Sequence, residues 1–311
     1  MPDSNNSGIQ DGPLVLVAGA SGYVGGRFVP RLEGVSVRVR CLARTPDKLR
    51  PLVKVSTQVV PGDVLDPASL ADAARGVHTA YYLVHLMSDS KDFEAEDRQA
   101  ATNFARAAKE AGVRRIVYLG GLGDDADQNL SPHLRSRHEV GQIFRDSGVE
   151  TIEFRAGTVI GAGSLSYQLI ESLTNRLPVM LCPRWLSTPT QPIAVDDVLA
   201  YLSAARELHA GGSRTFEIGG ADVVAYADLI REYARQKGLR RWLISVPVLT
   251  PYLSGLWLAL VTPATYSIGR HLIEGLKNPT VVRDAKARDV FPIRPMGVKE
   301  AVRKAVAESK A

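Results

Sequence analysis

The chain has 311 residues, 45% hydrophobic and 23% charged, with 38 Lys and Arg against 33 Asp and Glu for a formal charge of +5. These fractions are ordinary for a globular protein and exclude a disordered chain, a collagen-like repeat and a small disulfide scaffold, while the length suits two domains or one large α/β unit with an appendage. No run of five or six like charges gathers the small cationic surplus, so nucleic acid is not expected as a partner.

Cys41 and Cys182 are too few for a disulfide framework or a zinc cluster. Residues 1–12 are polar, with no basic and apolar signal segment, and read as a disordered lead-in to a cytoplasmic protein. Pro13 to Ala18 is a short apolar run ending in glycines, as suits a strand buried on both faces of a parallel sheet. A helix follows over Tyr23 to Leu32, with Gly34 as its stop. Strands are then predicted at Val37 to Ala43, Val59-Val60 and Thr79 to Val84, and a long Ala-rich helix at Phe93 to Ala111. Arg115 to Leu119 reads as the fifth strand, Pro132 to Asp146 as a helix and Glu150 to Arg155 as the sixth strand. Strands and helices alternating at this spacing imply right-handed βαβ units and a Rossmann-type doubly wound parallel sheet.

Beyond Gly161 the rhythm changes. A helix is expected around Tyr167 to Arg176, an irregular wall-forming segment over Leu177 to Trp185, a helix from Asp196-Asp197 and a strand at Phe216 to Gly220, with the remainder helical. The expected division is a Rossmann domain over 13–220, with 158–190 contributing to a smaller, mainly helical C-terminal substrate lobe whose own part is 221–311.

Gly19-Ala20-Ser21-Gly22-Tyr23-Val24-Gly25 stands between the first strand and the first helix. Glycines at this spacing let the backbone turn tightly and approach a pyrophosphate at the positive helix end, while the last one brings helix and strand together. At the end of the second strand Arg44, with Lys48 close by, stands where an acidic residue would bind ribose hydroxyls. A planar guanidinium suits a 2′-phosphate, so NADP(H) is expected in preference to NAD(H), which stays open. Asp63 and Val64 follow the third strand, where Asp63 either meets the adenine amino group or caps a turn. Leu83, Val84 and Gly120 complete the expected cofactor wall at the strand ends, with Arg155, Ala156 and Gly157 beside the nicotinamide.

With Gly62-Asp63-Val64-x-Asp66, Ala111 to Leu119, Glu153 to Gly157 and Pro192 to Val198, the glycine turn carries a family resemblance over about residues 13–220. The chain resembles an atypical short-chain dehydrogenase/reductase (SDR) and is similar to the NAD(P)H-binding NmrA-like and epimerase-like group. The resemblance implies a hydride-transfer enzyme with a Tyr-x-x-x-Lys pair and a Ser or Thr after the fifth strand. Here the matching positions are His133 and Arg137, followed back to Gly120 and Gly121 in place of the hydroxyl, so that machinery does not carry over. His133 and His85, just past the fourth strand, are the candidates for a proton donor; Arg137 keeps the charge of the missing lysine without exchanging protons. Surface or pocket-wall roles for the two histidines stay open.

Asn103 matches an asparagine common in the family, although an exposed helical Asn fits as well. His138-Glu139-Val140-Gly141-Gln142 begins like a zinc-protease motif but carries Gln142 at the second ligand position, so no metal site is expected. Residues 242–269 hold no Asp, Glu, Lys, Arg or His, yet Pro247, Pro251 and Pro263 interrupt any membrane-spanning helix. Buried helices lining a hydrophobic substrate pocket lead there; a patch docking on a membrane or partner through Tyr252 and Trp257 comes second. The expected function is an NADP(H)-dependent oxidoreductase acting on a small hydrophobic carbonyl, enone or quinone-like compound. A non-catalytic NADP(H) sensor or assembly factor is the alternative, and a nucleotide-sugar epimerase the third.

Overall fold

A computed structural model describes residues 12–86, 92–246 and 277–309. The lead-in at 1–11 and most of the charge-free stretch, with Tyr252 and Trp257, lie outside the described residues.

Strand β1 (Leu14–Ala18) leads through the glycine turn to α1 (Tyr23–Leu32), β2 (Arg38–Ala43), a short α2 (Pro46–Leu49), β3 (Gln58–Pro61), α3 (Pro67–Ala74) and β4 (Thr79–Tyr82). The second half holds α4 (Phe93–Glu110), β5 (Arg115–Gly121), α5 (Pro132–Asp146) and β6 (Glu150–Ala156), then β7 (Val159–Ile160) and α6 (Leu165–Arg176). It continues with β8 (Val179–Cys182), β9 (Pro189–Thr190), β10 (Ile193–Ala194), α7 (Val195–Ala205), β11 (Arg214–Ile218), β12 (Val224–Ala225), α8 (Tyr226–Gln236) and β13 (Trp242–Ser245). Two further described helices are α9 (Lys286–Val290) and α10 (Val298–Glu308).

The seven-stranded sheet runs β11-β6-β5-β4-β1-β2-β3, and its strand pairs are all parallel. Its order reverses between β1 and β4, where Val15 pairs Thr79 and Ala18 pairs Tyr82, and a crevice at such a reversal is where doubly wound sheets bind ligands. Every residue of β1 is buried, as its unalternating apolar run requires. One sheet face packs Phe28, Tyr81, Phe154 and Tyr201 beneath α1 and α7; the other packs Tyr82, Phe104, Tyr118 and Phe144 beneath α4 and α5. A third apolar cluster joins α6, β8, α8 and α10 through Tyr167, Met180, Tyr233 and Val302.

Two expectations change. Leu177 to Trp185 is not irregular throughout: Val179–Cys182 is a strand, and it pairs in parallel with Trp242–Ser245, so the chain beyond Gly220 is not all helical. Val179, Met180 and Leu181 form too short an apolar run to show a period, and their partner lies about 60 residues away, so local pattern could not find the pairing. Asn103 is buried, and its Nδ2 donates to the Val64 carbonyl at 3.2 Å, tying α4 to the segment after β3.

Candidate functional site

The first turn after β1 is built from backbone. Gly19 has φ of +90°, and a Cβ there would stand 2.6 Å from the Leu83 carbonyl, so only glycine fits. The Gly22 N–H donates to the Gly19 carbonyl at 2.9 Å, and no side chain caps α1 at Gly22. The N–H groups of the first helical turn are therefore left toward the space in front of them, where the helix dipole favours an anion. Gly25 sits behind the turn, where a Cβ would strike the Gly19 carbonyl.

A cavity of about 580 Å³ opens in front of this turn. Gly19, Ser21, Gly22, Tyr23 and Val24 line one end, with Arg44, Asp63 and Val64 from the ends of β2 and β3. Arg44 is exposed and, among the described residues, has no ion-pair partner. Asp63 does form the turn, since its Oδ1 accepts from the Leu65 N–H at 2.9 Å, and it also lines the cavity. Lys48 on α2 is exposed but stands off the lining.

The other end of the cavity is lined by Leu83, Val84 and His85 after β4, Gly120 and Gly121 at the end of β5, His133 and Arg137 on α5, and Ala156 and Gly157 after β6. Ser131 starts α5 by accepting from the Leu134 N–H at 3.3 Å, and Pro132 holds the first helical position, so His133 lies in the first turn and Arg137 one turn on. The His85 and His133 rings meet edge to face with centroids 4.7 Å apart. Arg137 is 4% exposed, and its Nε donates to the Tyr118 hydroxyl at 2.8 Å while that hydroxyl donates to the Arg137 carbonyl at 2.9 Å. Its Nη1 donates to Nδ1 of His85, and its Nη2 is buried without a hydrogen-bond partner.

A guanidinium can only donate, so His85 must be neutral with its proton on Nε2. The electrostatics agree: desolvation at the cavity wall, then the Arg137 charge and His133, hold the His85 imidazolium well below the usual range. His85 thus offers a neutral N–H rather than an imidazolium proton. Burial also pushes the Tyr118 phenol up to about 12. A hydroxyl residue of the kind the resembled family places after β5 would make its neighbours shift: a Cβ on Gly120 would stand 3.0 Å from the Tyr118 ring, and one on Gly121 2.7 Å from the end of the Leu134 side chain.

Arg155 departs from its expected place beside the nicotinamide. Its side chain is buried, with Nε donating to Glu153 Oε1 at 2.9 Å and Nη1 to Asp125 at 2.7 Å, and it does not line the cavity. Glu153 is fully buried and also binds Arg145; Asp125 reaches Nδ1 of His138 at 2.6 Å. Burial, then the charge of Arg155, outweigh Asp125 and keep the His138 pKa low. Gly25 and Lys48 likewise do not line the cavity, whereas the other expected residues do.

The sequence reading missed Thr158 and Tyr226, whose hydroxyls lie 2.8 Å apart at the cavity wall, and Ser164, which caps α6 there. Thr158 could have been suspected as the next residue after Glu153 to Gly157, and Ser164 as an N-cap after glycine. Tyr226 carries no local signal, since only the fold brings α8 to the sheet edge.

A parallel sheet with a glycine turn, an uncapped helix start and a cleft at its switch point defines a Rossmann-type dinucleotide site. Residues 19–171, just under half of the chain, match the family described as NAD(P)H-binding. A cinnamoyl-CoA reductase from Oryza sativa subsp. japonica is 30% identical over 128 residues, 39% of this chain and 38% of that protein. A ceramide reductase from Caulobacter vibrioides is 25% identical over 265 residues, 83% of this chain and 82% of its own. The match to the rice protein, like others of comparable similarity, spans less than half of the relative's length. The solved Citrobacter sp. triphenylmethane reductase complexed with NADP(H) superposes with a TM-score of 0.74 at 16% identity, covering 94% of this chain and 99% of that one, and shares the fold.

Proposed function

We propose that the chain is an NADP(H)-dependent oxidoreductase of atypical SDR type, reducing a small hydrophobic carbonyl, enone or quinone-like substrate. The observation that carries this reading is the sharing of one cavity by the glycine turn and by His85, His133 and Arg137. The residues fit the cofactor: Gly19 and the bare start of α1 form a cradle that a Cβ would fill, and Arg44 stands exposed at the β2 end for a 2′-phosphate. A bound NADPH would supply the hydride. His133 would hold the proton for the substrate oxygen, His85 would donate a hydrogen bond from Nε2, and Arg137 would fix His85 and place positive charge near the oxygen as negative charge develops there. The mainly apolar wall of Leu83, Val84, Leu86, Leu119, Leu122 and Val159 would favour an apolar substrate body. Several of the relatives are named as reductases, which supports the reaction class but not the substrate. The Rossmann part would span 13–220 and the substrate lobe 221–311, with 158–190 shared between them.

The test is oxidation of NADPH by a panel of quinones, enones and aldehydes, compared with His133→Phe and His85→Phe. Turnover lost on His133→Phe supports the proton role; full activity in both variants removes it. A second reading, a non-catalytic NADP(H) sensor, is favoured by one observation: His133 and Arg137 stand where the family has its Tyr and Lys. Tight NADPH binding with no turnover across the panel would establish that reading instead.

A further inference from the structure

The β8–β13 pair presents a face that is unusual for its type. Parallel sheets ordinarily have both faces covered, and strands that face water on one side alternate polar residues outward. Here Met180 and Cys182 are buried inward against Tyr167, Leu229 and Tyr233, but the outward positions are apolar too. Val179 is 49% exposed, Leu181 46%, Trp242 70% and Ile244 49%. The register places Trp242 beside Val179 and Ile244 beside Leu181, so the four side chains adjoin as one patch. Arg240 continues the exposed alternation from Trp242, while Arg241 turns inward and caps α6 at the Thr174 and Asn175 carbonyls.

The charge pattern along the chain leading into and out of both strands is one-sided. No Asp or Glu occurs from 172 to 195 or from 233 to 273, whereas Lys237, Arg240 and Arg241 lead directly into β13. An apolar patch with an exposed tryptophan beside cations and no acids matches a bilayer surface with anionic headgroups: the apolar side chains enter the interface, the tryptophan sits at headgroup depth and the cations pair with phosphates. A second copy of the chain fits poorly, because pairing two such faces would oppose like charges. We infer that the β8–β13 face is a peripheral docking surface for anionic lipid membranes. None of its four apolar residues lines the dinucleotide cavity, so the inference stands apart from the proposed chemistry.

Sedimentation of the full chain with vesicles tests this, using phosphatidylcholine alone and phosphatidylcholine with phosphatidylglycerol. The native chain is expected to partition at least about tenfold more strongly onto the anionic vesicles, and less at high salt. The Trp242→Ser/Ile244→Ser variant should lose about tenfold of that binding with NADPH affinity unchanged, because its residues are exposed and remote from the cavity. Arg240→Glu, at an exposed position, should lose several-fold and serves if the double variant folds poorly. No preference for anionic vesicles, or equal binding by native and both variants, overturns the inference. A native dimer in light scattering that Trp242→Ser/Ile244→Ser converts to a monomer would also overturn it, by assigning the face to a second copy.

Discussion

The two ends of the cavity are made of different material. At the β1–α1 end the wall is largely backbone: a glycine with φ of +90°, a helix start without a side-chain cap and a turn with no room for a Cβ at Gly19 or Gly25. At the β4–β5–α5 end the wall is side chains, with Arg137 held by Tyr118 and His85, backed by a buried layer in which Glu153 stands between Arg145 and Arg155. Backbone geometry is fixed by residue type at a few positions and tolerates nothing else there. A network of side chains can change its chemistry by single substitutions while the fold stays. The β1–α1 end accordingly carries the glycine pattern of the resembled family, while the opposite end has His133, Arg137 and Gly120-Gly121 at the positions where that family has its Tyr, Lys and hydroxyl.

The deepest part of that network gives the largest expected effect. Glu153 is fully buried and pairs with two guanidiniums, so Glu153→Ala leaves Arg155 buried with only Asp125 for charge balance. Breaking a buried pair from one side costs about 3 kcal/mol or more. Urea unfolding measures it, and a loss below about 1 kcal/mol would mean that water reaches these arginines and that this end is less interlocked than described. The backbone end is challenged by Gly19→Val. A side chain at φ of +90° and 2.6 Å from the Leu83 carbonyl must displace the turn, and NADPH affinity should fall about a hundredfold, or roughly 2.7 kcal/mol. Affinity within threefold of native would show that the turn does not hold the pyrophosphate.

Arg44→Ala is a finer probe of the same end. With no ion-pair partner among the described residues, Arg44 is available to a 2′-phosphate, and its loss should lower the ratio of NADPH to NADH affinity about tenfold, near 1.4 kcal/mol. Titration of both cofactors decides it, and an unchanged ratio removes Arg44 from cofactor selection.

What could be read from the sequence follows the same division. The six strands through β6, the helices α1, α4 and α5, and the glycine turn were legible because they rest on short-range periodicity and on residue types that only one geometry accommodates; the short α2 and α3 were not predicted. The pairing of His85 with His133 was not, since 48 positions separate them and their contact depends on β4 and α5 meeting at the switch point. Arg155 was misplaced for a related reason: from sequence it ends a strand beside the cofactor, yet alternation along β6 turns its guanidinium to the side of Glu153 and Asp125. Tyr226 was invisible because 68 positions separate it from Thr158, whose hydroxyl it meets. The β8–β13 pair shows the limit most simply, being two four-residue strands that acquire identity only from each other.

The smallest effect probes the state of His85. Its folded pKa lies well below the ordinary 6.5, so below that pH the unfolded chain takes up a proton that the folded chain refuses. Stability is therefore complete above about pH 6.5 and falls as the pH drops toward 5. His138, also depressed, contributes in the same direction. Because His85 opens on the cavity, solvent screening limits its share to about 0.5 kcal/mol at pH 5.5. His85→Asn keeps an acceptor for Arg137 but cannot be protonated, so it should flatten the decline in urea midpoint between pH 7 and 5.5 by about that amount while leaving the value at pH 7.5 nearly unchanged. A steeper decline in the variant would mean that His85 is protonated in the folded chain. The Arg137 hydrogen bond would then have to be broken, and the two histidines would exchange roles as the source of the transferred proton.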